Sequence, residues 1–422
     1  MPDRELIELD RAHVWHPYTQ HGSAREPLVI RRAKGAFLYD HDDRPIFDGI
    51  SSWWVTLHGH AQPEIAKAIS EQAGILEQVI FTDFTHEPGA ALASELSAVL
   101  PGKLSRCFFS DDGSTAVEVA LKIAIQYWIN AGRKRPLVAA FENAYHGDTF
   151  GAMSISGRGL FTAPFQEQLF EVVRLPDPST SEVLEAIDQL ISDRGSEVAA
   201  VIVEPLLLGA GGMRMYGEQR LRDIVTRVRA SGALFIADEV LTGFGRTGPL
   251  FACERAKIEP DIICLSKGLT GGFLPLGVTA VREEIFERFV SAERSQMFFH
   301  GHSYTANPIA CAAARASLNL LDEASQLRRD AIEAVHRDRL TRLATHPQVR
   351  NTRVLGTIGA FDLADSSGYL DSRGRALAEH GLRNNVLVRP LGGTVYLLPP
   401  FCTLPEELTY AYQVIARFLD TL

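Results

Sequence analysis

Five short apolar runs, 106–110, 137–141, 198–203, 234–237 and 262–265, punctuate the middle of the chain, separated by segments of helical period. Runs this short, rich in β-branched or aromatic residues and bounded by polar positions, read as strands buried on both faces. Their alternation with helices is the pattern of βαβ units around a parallel sheet. Between two of the runs, Leu221, Ile224, Val225 and Val228 fall at i, i+3, i+4 and i+7 and mark an amphipathic helix. An α/β fold follows, and 422 residues with 46% hydrophobic content supply chain for about two or three domains.

The two ends read differently. Residues before about position 61 mix aromatics with turn signals such as Asp43 to Pro45. Those after about position 320 become helical and charged before late β-rich stretches at 386–388 and 395–398. The expected organisation is a large domain over 61–320 on a mainly parallel sheet, and a smaller α+β domain assembled from 1–60 and 321–422. A net charge of −10 gives no electrostatic reason for a nucleic-acid or anionic-membrane partner. Small molecules are the expected partners. No apolar run approaches the roughly 18 residues of a membrane span, and the start, with Asp3, Arg4 and Glu5, lacks the features of a signal or transit peptide. The scattered cysteines Cys107, Cys253, Cys264, Cys311 and Cys402 never form C-x-x-C, which predicts a reducing, cytoplasmic setting.

In open α/β sheets ligands bind beyond the carboxyl ends of the strands, so the residues that end each run carry the information. Glu204 follows the third run, Asp238-Glu239 the fourth and Ser266-Lys267-Gly268 the fifth. A lysine there, with Gly271-Gly272 beyond it, can be a desolvated nucleophilic amine suited to Schiff-base chemistry. Asp238 is the complementary acid, because a carboxylate beside a pyridine nitrogen keeps that nitrogen protonated and the ring an electron sink. Taken singly, each residue also reads as a surface amine or a loop cap. Gly113, Ser114 and Thr115 open a helix after the first run, and free N–H groups at a helix start bind phosphate; plain helix capping is the alternative. Tyr145, after the second run, presents an aromatic face to a flat ring, or else is an ordinary boundary tyrosine.

Two motifs point elsewhere and are set aside. Gly243-Phe-Gly245-Arg-Thr-Gly248 fits the dinucleotide expression G-x-G-x-x-G, but Pro249 follows and no glycine-cradled helix opens. The pairs His58/His60 and His300/His302 lack the partners of a metal site, so no metal is expected.

The run Asp238-Glu-Val-Leu-Thr-Gly-Phe-Gly-Arg-Thr-Gly248, followed by Pro260-Asp261 and Ser266-Lys267-Gly268, resembles the signature of class III aminotransferases. The similarity extends through Gly113-Ser114, Tyr145-His146-Gly147 and Gly209 to Gly212. It implies a fold-type I transferase dependent on pyridoxal 5′-phosphate, usually a homodimer with shared active sites. Within the family, Trp15-His16-Pro17-Tyr18-Thr19-Gln20 and Asp48 to Trp54 resemble the biotin-pathway branch. That branch implies S-adenosylmethionine as amino donor and 8-amino-7-oxononanoate as acceptor. Carried over residue by residue, Lys267 is the catalytic Schiff-base lysine, Asp238 the ring-nitrogen partner, Tyr145 the ring stacker, and Gly113 with Ser114 the phosphate cup. His302 and Ser303 join the cofactor set, Ser303 from the other subunit. Tyr18, Trp53, Trp54, Gly301 and Arg389 complete the substrate pocket, with Tyr18 also catalytic and Arg389 on the substrate carboxylate. Gly301-His302-Ser303 stands where Gly-Pro-Thr is expected, which leaves the part played by His302 open. Other ω-aminotransferases, an aminomutase and a non-catalytic binder share the cofactor residues; the N-terminal aromatic motif favours the first assignment.

Overall fold

A computed structural model describes residues Met1–Leu422. Its centre is a seven-stranded sheet in the order Leu104–Ser110, Gly277–Arg282, Ile262–Leu265, Leu234–Asp238, Val198–Val203, Leu137–Phe141, Val173–Leu175. Only Gly277–Arg282 runs antiparallel to its neighbours; the rest are parallel. The period-2 alternation of strands sorts the apolar residues onto two faces. Val201, Val203, Phe235 and Ala237 pack on one side with Leu221, Ile224, Val225 and Val228 of the helix Glu218–Ser231. Ala200, Ile202 and Ile236 pack on the other with Ala116, Val119, Ala120 and Ile123 of the helix Gly113–Asn130. Burial on both faces explains why the runs are apolar throughout rather than alternating.

Three of the expected strands, Leu137–Phe141, Val198–Val203 and Ile262–Leu265, have the expected limits. The first begins two positions early, at Leu104, and the fourth includes Asp238, whose backbone stays in register with Cys264. Gly277–Arg282 was not expected as a strand. It opens on a glycine, which lowers strand propensity, yet glycine is required there, because a Cβ would strike the Asp112 carbonyl.

The chain ends meet in a second sheet, in which Arg32–Lys34, Phe37–Tyr39 and Pro45–Asp48 form an antiparallel meander and Val386–Leu387 adds parallel to Pro45–Asp48. A third sheet joins Val349–Leu355, Ile358–Leu363 and Thr394–Leu397. Phe47 shares a core with Phe361, Leu377, Leu408 and Ile415, so residues from both ends are buried together. Arg246, fully buried within the glycine-rich turn, donates to the carbonyls of Pro399 (2.8 Å) and Thr56 (3.1 Å) and ties that assembly to the large sheet.

Candidate active site

Lys267, Asp238, Glu204, Gly113, Ser114, Tyr145 and Trp54 line one cleft of about 460 Å³ at the carboxyl ends of the strands. Burial lowers the pKa of Lys267, while the charges of Asp238, Glu204 and Asp112 pull the other way. Its Nζ lies 5.2 Å from the Trp54 ring centroid. The indole in turn donates from Nε1 to the Tyr396 hydroxyl at 3.0 Å, so the wall beside the amine is fixed by a residue from the far end of the chain.

Asp238 is buried, and its Oδ2 lies 2.6 Å from Nδ1 of His146. The distance is that of a hydrogen bond in which one proton is shared between the carboxyl oxygen and the ring nitrogen. His146 Nε2 is buried and makes no hydrogen bond. The adjacent Glu239 does something different: its carboxylate accepts from the backbone N–H groups of Ala252 (3.0 Å) and Cys253 (2.8 Å) and from the Thr242 hydroxyl. It shapes the turn; Asp238 faces the cleft.

At the other end of the cleft the helix Gly113–Asn130 begins. Asp112 caps it, accepting from Thr115 N at 2.8 Å, and the Thr115 hydroxyl accepts from Asp112 N at 3.0 Å. This capping box commits Thr115 to the helix, so of the two hydroxyls only that of Ser114 faces the cleft. A Cβ at Gly113 would meet Val240 Cγ1 at 2.7 Å, and one at Gly147 would overlap the Ser114 hydroxyl. Both glycines permit the close backbone approach that an anion at a helix start requires.

Glu204 accepts from Tyr145 N at 2.9 Å and Gly209 N at 3.0 Å. Burial pushes its pKa up to about 7, with Asp238 adding and His146 opposing. Tyr145 separates this cleft from a second one of about 630 Å³ that also contains Asp148, Phe161 and Tyr369. Tyr18, Trp53 and Arg389 line neither cleft, but Tyr18 touches residues of the second. Its hydroxyl donates to Asp148, and its ring is edge-on to Trp53 (5.6 Å) and Phe161 (5.7 Å). Burial, reinforced by Asp148, pushes the Tyr18 pKa up to about 12. Arg389 places its guanidinium carbon 4.4 Å from the Trp53 ring centroid.

Trp53 and Trp54 sit on a short turn in which Ser51, Ser52 and Trp54 all adopt positive φ, at 52°, 60° and 71°. Non-glycine residues pay for such conformations unless their surroundings enforce them. Asp48 enforces this one, accepting from Ile50 N (3.2 Å), Ser52 N (2.6 Å) and the Ser52 hydroxyl (3.0 Å), with His60 Nε2 3.0 Å away. The Ser51 hydroxyl donates to the Leu398 carbonyl.

The family described as Aminotransferase class-III matches residues 18–419. The chain belongs to the class III aminotransferases. A curated relative from Synechococcus elongatus, an adenosylmethionine-8-amino-7-oxononanoate aminotransferase, is 51% identical, the match covering 97% of this chain and 99% of the relative. The crystal structure of a like-named enzyme from Methanocaldococcus jannaschii superposes with a TM-score of 0.94 at 32% identity, covering 100% and 99% of the two chains. An omega transaminase from Pseudomonas jessenii, solved in complex with PMP, gives 0.91 at 27% identity, covering 99% and 98%. The fold of this aminotransferase is the fold-type I α/β architecture.

Not every expected site residue of the aminotransferase reaches the cleft of its own chain. Gly301 and Ser303 are exposed and outside it, and His302 touches only its edge, with Nε2 4.0 Å from Asp111 Oδ1. His58 and His60 are absorbed by Ser317 and Asp48, and His300 by Lys122. Glu204 and His146 were visible in the sequence beside the expected residues, but without roles. Their strand-end positions were the available signal; their pairings, with Tyr145 and Asp238, arise only when strands far apart in sequence become neighbours.

Proposed function

We propose that this aminotransferase binds pyridoxal 5′-phosphate in the 460 Å³ cleft and transfers an amino group from S-adenosylmethionine to 8-amino-7-oxononanoate by a ping-pong route, giving 7,8-diaminononanoate in biotin biosynthesis. The 51% identity over nearly the whole chain to a relative of that name carries the reading. The residues present fit the cofactor: a buried amine, a ring-facing acid and an open helix start occupy one cleft, with Tyr145 between them and the second cavity.

When bound, the cofactor supplies a carbonyl carbon for amines and a protonated ring that accepts carbanion charge. Lys267 Nζ, made easier to deprotonate by burial, is the nucleophile and the group that moves a proton to and from the amino-bearing carbon. Asp238 holds the proton on the ring nitrogen, and His146 fixes the orientation of Asp238. The N–H groups at Gly113 and Ser114 and the Ser114 hydroxyl hold the phosphate. Tyr145 covers the ring, its backbone held by Glu204. Arg389, resting on Trp53, offers a planar fork to a substrate carboxylate. Tyr18, Trp53 and Trp54 wall the aliphatic chain, and Asp148 beside those aromatics suits a sulfonium.

A cytoplasmic homodimer with shared sites is part of the proposal. Ile75, Ile80, Phe84, Phe299 and Tyr304 are at least 59% exposed, an apolar cost that a partner copy would remove. The same surface includes the neighbourhood of Ser303, which does not reach the cleft of its own chain.

The test is the absorbance of the holoenzyme. S-adenosylmethionine should remove the near-visible band of the bound cofactor, and 8-amino-7-oxononanoate should restore it. Removal only by lysine or an ω-amino acid would replace the donor and favour another ω-aminotransferase. Absence of any band would remove the cofactor assignment.

A further inference from the structure

Along the helix Gly113–Asn130 a polar residue recurs at every fourth position, Ser114, Glu118, Lys122, Gln126 and Asn130, on a ridge that winds round the helix, while most of the remaining residues are buried in the core. Residues four apart stand one above another on a helix, so these form a single row. Every member binds a loop. Ser114 accepts from Asp148 N at 3.3 Å, and Glu118 accepts from the Thr149 hydroxyl (2.6 Å), Gly151 N (2.8 Å) and Ala152 N (3.2 Å). Beyond them the partner changes. Lys122 donates to the Phe299 carbonyl and lies 3.0 Å from His300 Nδ1; Gln126 donates to the Met297 carbonyl at 2.9 Å; Asn130 donates to the carbonyls of Arg288 and Gln296, each at 3.0 Å.

The first two residues of the row therefore order the loop beside the phosphate end of their own cleft, and the last three order the segment that leads to Ser303. That segment is held otherwise by Phe298 and His300, whose rings lie 5.2 and 5.9 Å from that of Phe108, and at Ser303, whose carbonyl accepts from Gln78 Nε2 at 2.8 Å, while Met297 and Phe299 are exposed. A segment with few buried contacts takes its order from such side-chain hydrogen bonds.

We infer that Lys122 is a positioning residue for the cofactor of the opposite subunit, holding the segment whose Ser303 reaches that subunit's phosphate. The inference rests on the shared-site homodimer proposed above. One rigid helix then serves two sites, its N-terminus contacting the phosphate of its own chain and its middle aiming a loop at the partner's.

The measurement is cofactor release from the holoenzyme, followed by loss of the near-visible band in the presence of a trapping amine. Lys122→Ala should speed release about tenfold, the loss of a hydrogen bond from a charged donor, and Lys122→Arg should recover most of it. Gln126→Ala should act more weakly, being further along the segment from Ser303. The decisive arm is a mixed dimer of Lys122→Ala and Lys267→Ala subunits. Its one lysine-bearing site receives Ser303 from a subunit with intact Lys122, so release should return to the wild-type rate; release as fast as in the Lys122→Ala homodimer would overturn the inference. A monomeric holoenzyme, or Ser303→Ala without effect on release, would instead overturn the shared-site reading beneath it. Unchanged release in Lys122→Ala, with Ser303→Ala effective, would overturn the inference alone.

Discussion

The chemistry of single residues here is set by which partners burial leaves them. Asp238 has an imidazole at 2.6 Å whose second nitrogen makes no hydrogen bond. His146→Ala should keep the fold and the cofactor but free the carboxylate to turn. A hydrogen bond to a charged group is worth about 1.5–3 kcal/mol, so kcat should fall roughly 10- to 100-fold, with a shifted pH dependence of the holoenzyme absorbance as the independent check. Glu204 makes a different prediction. Its pKa is raised by burial from 4.5 to about 7, so between those values the folded state binds a proton that the unfolded state has released. Stability from this group therefore falls as pH rises through that window and is level above it, by at most about 3 kcal/mol. Glu204→Gln should lose a hydrogen bond at every pH yet show a flatter melting temperature from pH 5 to 7.5. An equally steep profile in the variant would assign the slope to other groups. Lys267, Asp238 and Tyr145 could be found from the sequence because each follows an apolar run. His146 could not be given a role that way, because its partner lies on a different strand and nothing in the run between them records the meeting.

Elements differ in how much of themselves they show in the chain. Leu137–Phe141 and Val198–Val203 are legible to the residue, since burial on both faces demands an uninterrupted apolar run and the neighbouring polar residues end it. Gly277–Arg282 is hidden by its opening glycine, and Val173–Leu175 by being only three residues long. The turn carrying Trp53 and Trp54 was legible as an aromatic motif but not as a conformation, because its positive φ angles depend on Asp48 and on a hydrogen bond to Leu398. Asp48→Ala should release this turn, at a cost of roughly 2–4 kcal/mol in stability, from several lost hydrogen bonds to a buried carboxylate. KM for both substrates should rise while the holoenzyme absorbance stays unchanged. Chemical denaturation and steady-state kinetics together check this, and an altered absorbance with unchanged KM would place the turn's influence on the cofactor instead.

At the scale of the whole molecule, Phe84 and Tyr304 are large apolar side chains left mostly exposed on the single chain. Phe84→Lys should weaken self-association by roughly 30-fold, the effect of removing an interface anchor of about 2 kcal/mol. Sedimentation at declining protein concentration measures it, with faster cofactor loss accompanying dissociation; a variant that associates as tightly as the wild type would move the interface elsewhere. The general α/β architecture followed from the central runs alone. What the sequence did not display is how one antiparallel strand joins Leu104–Ser110 to the rest of the large sheet and which strands tie the chain ends together, because both depend on pairings between distant segments.

The parallel pairing of Pro45–Asp48 with Val386–Leu387 also imposes a delay. A ribosome adds about 5–20 residues each second, so Phe47 emerges and then waits on the order of half a minute before Val386 exists to pair with it. Throughout that interval the meander of the first sheet has an unfilled edge, and Trp53 and Trp54 lack the Tyr396 and Leu398 that will fix them. The beginning of this chain is thus among the last parts able to complete its folding.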